Sequence, residues 1–348
     1  MANKTQQTSG NVTVPEHARK ALQAREVGNF LSNYAIIIII SIMVLAVGFS
    51  KPNFWTLDNG KNLIINIAPR FIIAAGVSGC LITKGTDLSA GRLVGLSACV
   101  AATVLQEVGY GARFFPNMPD LPVIVGLLIA VAITALFGMI NGMVIAWLKV
   151  PPFIATLGMQ TIVYGICQIY TGNDPQGGLK DSYKAVANGS LFGVIPYLFL
   201  FALVVGVFMW LLYNKTRHGK YMYAIGGNEN AAVVAGVNVP ATLIRIYTLA
   251  GALYGLAGFL LGAKAGGAST ATGFGYELEA IAACTIGGVS TNGGVGTVPG
   301  ILLGVLVFEV LKICLQYMQV NPAYTYIAQG IVIVVAVALD LRKYLAKK

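Results

Sequence analysis

LPVIVGLLIAVAITALFGMINGMVIAWL, residues 121–148, contains no charged side chain. A helix crossing the hydrocarbon of a bilayer needs roughly 20 mostly apolar residues, so this stretch is long enough to span, and a soluble fold would have nowhere to hide it. Similar runs lie at 30–50, 62–83, 92–106, 153–171, 194–213, 243–264, 277–286, 298–318 and 324–340. The expectation is an all-α membrane protein of about ten transmembrane helices, the third and eighth of them short. Composition agrees: 56% of residues are apolar and only 10% charged, with a mean hydropathy of +0.74, whereas soluble domains carry roughly 25% charged residues. Residues 1–29 are polar and lack the apolar core of a secretory signal. They read as a cytoplasmic tail ahead of one membrane domain, 30–348.

A net charge of +10 would suggest nucleic acid in a soluble protein. Here it follows from the habit of membrane proteins to gather Lys and Arg in cytoplasmic loops, and no nucleic-acid partner is expected. With ten crossings both termini share a side. Placing them inside puts fifteen Lys/Arg in cytoplasmic segments and six outside, with Arg70 and Lys312 left within spans. Cys80, Cys99, Cys167, Cys284 and Cys314 stand singly in apolar stretches and read as packing residues. His17 and His218 sit in polar segments with no ligand cluster, so no metal is expected.

The two short spans open alike, with GTDLSA at 85–90 and GYELEA at 275–280. The span count puts these approaches on opposite sides of the membrane, as an inverted repeat with broken helices requires. Glycine is abundant, 42 residues, and recurs at four-residue spacing in Gly91/Gly95, Gly138/Gly142, Gly251/Gly255, Gly258/Gly262 and Gly296/Gly300/Gly304. In lipid no hydrophobic force drives helices together, so close backbone approach must supply the contacts. Packing within one bundle is therefore the expected use of these pairs. The stretch GGVSTNGGVG, 287–296, cannot be regular helix facing lipid and must be enclosed in protein or face water.

The longest polar segment between good spans is NKTRHGKYMYAIGGNENAAVVAGVNVPAT, 214–242, on the cytoplasmic side by the charge count. Within it Asn228 suits an N-cap, Glu229 the positive end of a helix, 231–235 its body and Gly236 its stop. The result is a helix of about two turns, roughly 12 Å long. One so short needs a docking partner: either a groove on another protein or this chain's own bundle.

GTDLSAGRLVGLSA (85–98), PPFIATLG (151–158), NKTRHGKYMYAIGGNENAAVVAGVNV (214–239) and CTIGGVSTNGGVGTVPG (284–300) resemble the permease subunits of bacterial sugar ABC importers, the ribose and galactose type. The likeness runs from about residue 30 to the C-terminus, through VNP at 320–322 and ALD at 338–340 before a basic tail. It implies a multi-pass permease of the inner membrane, with two copies forming a path through the lipid for a monosaccharide such as galactose or methyl galactoside. An ATP-binding cassette ATPase would bind each copy from the cytoplasm, and a periplasmic sugar-binding protein would deliver the cargo. It also implies that Gly226, Gly227, Asn228, Glu229, Ala231, Ala232 and Gly236 form the coupling helix that the ATPase grips. ATP and Mg would belong to that ATPase, leaving this chain with no cofactor of its own. In keeping with that division, the chain has no G-x-x-x-x-G-K-[ST] phosphate loop.

A neutral sugar needs a wet passage rather than a counter-charge. Ionisable and amide groups within spans are costly and mark such passages, so Asp87, Arg92, Glu277, Glu279 and Asn292 are the candidate pathway or gate residues. Asp87 can equally be a structural cap before the third span, and Glu309 with Lys312, three apart, reads as a structural pair. The competing function is an ion-coupled secondary transporter or a channel, which shares broken helices but has no need of a docking loop. A membrane enzyme would require a nucleophile paired with a base, and the sequence offers none.

Overall fold

The computed structural model describes residues 38–345. The tail 1–29 and the start of the first expected span lie outside the described residues. The helices are α1 (Ile38–Ser50), α2 (Leu57–Ile82), α3 (Ala90–Val104), α4 (Val123–Trp147), α5 (Pro152–Thr171) and α6 (Asp181–Asn188), then α7 (Tyr197–Lys215), α8 (Arg217–Gly227), α9 (Glu229–Val234), α10 (Val239–Ala265), α11 (Tyr276–Ile286), α12 (Val298–Tyr317) and α13 (Pro322–Leu345). A two-residue hairpin, β1 (Ser190–Leu191) with β2 (Ile195–Pro196), precedes α7. Among the described residues a helix lies in each of the ten apolar runs, the first covered only from residue 38, and α6, α8 and α9 are additional polar helices, so thirteen helices are described where about ten were expected. Among the described residues six helices, α2, α4, α5, α7, α10 and α12, are long and apolar enough to cross a membrane.

Local chemistry sets the ends. Pro152 and Pro240 sit in the first turn of α5 and α10, where the missing N–H is not needed. Gly172 and Gly266 close these two helices in the left-handed conformation. Inside α2, Pro69 removes one backbone hydrogen bond just before Arg70.

The glycine pairs explain how the bundle closes. A Cβ on Gly142 would lie 2.7 Å from Ile244 Cα, and one on Gly138 would strike the Tyr247 carbonyl. Gly251 and Gly255 return the fit from α10 onto Thr134 and Val131 of α4. Backbone thus meets backbone along the α4–α10 seam, and Ser97 of α3 donates to the Gly255 carbonyl at 2.5 Å. Helix α10 is the hub of the bundle, packed on α2, α3 and α4. Helices α4, α5 and α7 instead display rows of bare apolar side chains, among them Ile124, Leu128, Leu136, Ile162, Ile169, Leu203, Val204 and Phe208, a surface suited to lipid.

Helix α3, too short to cross, is buried at every position except Arg92. Its ends therefore meet protein rather than hydrocarbon, the condition under which a broken helix survives at membrane depth.

Candidate translocation pathway and coupling surface

The N-terminal ends of α3 and α11 meet inside the bundle. The Glu277 carboxylate occupies the place a side chain on Gly91 would take, and the Gly273 and Thr272 carbonyls press on Gly91 and Gly95. From this junction α3 runs toward Gly262 near the end of α10, and α11 toward Gly300 at the start of α12. Two helix N-termini carry partial positive charge, a setting that suits the buried carboxylate of Glu277. Arg92 is fixed beside it: its guanidinium stacks on Tyr164 and Phe274, 4.1 and 4.9 Å from the ring centres, and donates to the Thr270 carbonyl at 3.0 Å.

Asp87 is buried one turn away. One carboxylate oxygen accepts from the Ser89 N–H (3.0 Å) and hydroxyl (2.6 Å), and the other from the Tyr254 hydroxyl (3.1 Å). Bonding to the residue two positions on makes this a turn before α3 rather than a cap on its free N–H groups. Asn141 of α4 donates to Ser89 Oγ at 3.0 Å, so the knot ties α3, α4 and α10.

Glu279 points the other way, into an ionic cluster. Lys312 reaches it at 2.6 Å and Arg70 at 3.2 Å, while Glu309 lies 2.8 Å from Arg70 and 3.2 Å from Lys312. The Glu309–Lys312 pair read from spacing is thus half of a four-membered cluster joining α2, α11 and α12. Two cations oppose two carboxylates, each desolvated charge holding partners as burial demands.

Asn292 lies in the glycine-rich turn, where its own N–H donates to Ser290 Oγ at 3.2 Å and its side-chain NH₂ is buried without a hydrogen-bond partner. Val289 and Gly296 of the turn are buried against the bundle, while Gly288 and Val295 are exposed and the rest is half-buried. The Gly294 N–H donates to the Ile82 carbonyl at the end of α2 (2.8 Å), and Tyr223 of α8 donates to the Gly296 carbonyl (2.7 Å).

The polar loop contains two helices where one was expected. Helix α9 starts at Glu229, with the Asn228 side chain accepting the Ala231 N–H at 3.1 Å, and ends before Gly236 at φ 82°. Gly226 and Gly227 are not part of it. They close α8, and Gly226 is sealed against Ile82 and Gly294 so tightly that a Cβ would strike both backbones. Ala232 also faces inward, 3% exposed. The outward face instead presents Val233 at 56% and Val234 at 90% exposure, two residues outside the set that the family resemblance implies, since which face of a two-turn helix points outward depends on what the other face packs against.

This arrangement is that of a membrane permease: a glycine-packed bundle, two half-helices meeting end to end, and a short capped helix on a polar face. A family model described as "Branched-chain amino acid transport system / permease component" matches residues 60–337, and the chain belongs to that family. The galactose/methyl galactoside import permease protein of Escherichia coli (strain K12) is 44% identical over 334 residues, covering 94% of this chain and 99% of the relative. Its counterpart in Haemophilus influenzae is 43% identical with the same coverage, and the ribose import permease protein of Bacillus subtilis (strain 168) is 37% identical, covering 92% of this chain and 94% of the relative. No solved structure matches. The chain is a permease subunit of an ATP-binding cassette importer, a transport component and not an enzyme.

Proposed function

We propose that the cargo is galactose or a methyl galactoside, carried inward across the inner membrane by a pair of these chains in ten crossings each, with both termini cytoplasmic. An ATPase bearing the ATP and Mg grips α9 from the cytoplasm, and a periplasmic binding protein hands sugar to the opposite face. Nearly full-length identity of 43–44% to galactose/methyl galactoside permeases supports the cargo, and the charge asymmetry supports the orientation. The domain reading follows: 1–29 a cytoplasmic tail, 30–348 the permease, and 214–242 its coupling loop.

The observation that carries the reading is the mechanical connection of α9. This six-residue helix has bare valines outside and Ala232 inside. It continues from α8, which is joined to the glycine-rich turn and the end of α2 through Tyr223, Gly226 and the hydrogen bond from Lys84 to the Gly227 carbonyl at 3.4 Å. A push on α9 is therefore passed through α8 to the end of α2 and, by way of the glycine-rich turn, to the start of α12.

The test is Val234→Asp in the complete transporter. Burying a charge in an ATPase groove carries a large desolvation cost, so co-purification of the ATPase and ATP-dependent galactose uptake should both collapse. Unchanged assembly and uptake, or uptake driven by an ion gradient without ATP, would instead favour a secondary transporter.

A further inference from the structure

Helix α2 carries Asn59, Asn62, Asn66 and Arg70 at spacings of three, four and four, and α12 carries Glu309, Lys312 and Gln316 at three and four, with Gln319 just past its end. Such spacing puts each set on one helix face. The faces oppose one another: Arg70 meets Glu309, Lys312 of α12 and Arg70 of α2 share Glu279, and beyond them Asn59, Asn62, Asn66, Gln316 and Gln319 line one open cleft of about 470 Å³ with Lys264 and Tyr317. A polar stripe on a spanning helix is costly unless it faces protein or water. Here the amides line the open cleft, and the ionic cluster starts one turn further along both helices, at Arg70 and Lys312, outside the cleft's lining.

Resting on the importer reading above, we infer that this cleft is a reception site for a neutral polyhydroxylated molecule, where sugar lodges between delivery and release through the bundle. The side-chain amides of Asn62, Gln316 and Gln319 have no hydrogen-bond partner among the described residues, and Asn66 uses only its oxygen, accepting from Lys264 at 2.5 Å. Each amide offers two donors and an acceptor, the complement of neighbouring hydroxyls that each give and take a proton. Lys264 is the one charged side chain in the lining and is held by the Asn66 oxygen, while the ionic cluster one turn away balances two cations with two carboxylates. Small-molecule sites range over about 300–1,000 Å³, so the cleft has room for a monosaccharide and water, but holds it loosely enough to release.

The experiment uses the complete transporter in vesicles with its ATPase and binding protein. For Asn62→Leu combined with Gln316→Leu, D-galactose moved per ATP hydrolysed should fall by about fivefold to tenfold for each amide lost. Should that variant fail to assemble, Asn62→Cys decides. The five native cysteines are buried, so a membrane-impermeant maleimide added outside reports the new thiol, and saturating D-galactose should slow its labelling several-fold. Labelling indifferent to sugar in a complex that still imports would overturn the site and mark the amides as packing or headgroup contacts. An unsubstituted complex that moves no galactose would overturn the importer reading, and the site with it.

Discussion

At the scale of single residues, neighbours decide what a charge is for. Asp87 and Glu277 hold the same place in GTDLSA and GYELEA, yet Asp87 is spent on Ser89 and Tyr254, and the acid that pairs with Lys312 and Arg70 is Glu279, two places further on. Asp87→Ala should strand the Ser89 N–H and the Tyr254 hydroxyl, costing about 1–3 kcal/mol per stranded group and lowering the melting temperature in detergent. Asp87→Asn should lose less. A variant that melts like the parent but fails in uptake would instead put Asp87 on the sugar's path. That Asp87 bonds locally was legible, because its nearest partner is two residues away. Glu279 was not, because Arg70 lies 209 positions earlier in the chain.

Among elements, the ionic cluster is the only charged tie between α2, α11 and α12 seen among the described residues. Lys312→Ala should leave Glu279 and Glu309 sharing Arg70 alone, and breaking a buried pair costs about 3–5 kcal/mol. Lys312→Met with Glu279→Gln should recover most of that loss, since no lone charge then remains. Thermal unfolding of the two variants checks the order, and equal destabilisation would show that the tie contributes little. Helix α9 was legible to the residue at its start because capping is a contact between Asn228 and Ala231, three positions apart. The role of Gly226 was not, since what forbids a side chain there is the backbone of Ile82 and Gly294.

For the whole molecule, sidedness is the consequential quantity, because the coupling surface and the amide cleft must open to opposite compartments. Ala235, exposed at the end of α9, offers the test: Ala235→Cys should react with an impermeant maleimide from the cytoplasmic side alone, and labelling from outside would invert the molecule. The sequence by itself determined the class, the approximate positions of the apolar helices and the family, because apolar length, proline and glycine punctuation and local caps act over a few residues. It also marked the glycines as sites of close approach, since a missing side chain is visible without its neighbour. Only the tertiary structure decided which helices those glycines join, that α3 and α11 meet by their N-termini, and that two half-polar helices turn their amides toward each other. Those facts depend on contacts between residues far apart in the chain, and no short-range pattern specifies which face of one helix another will find.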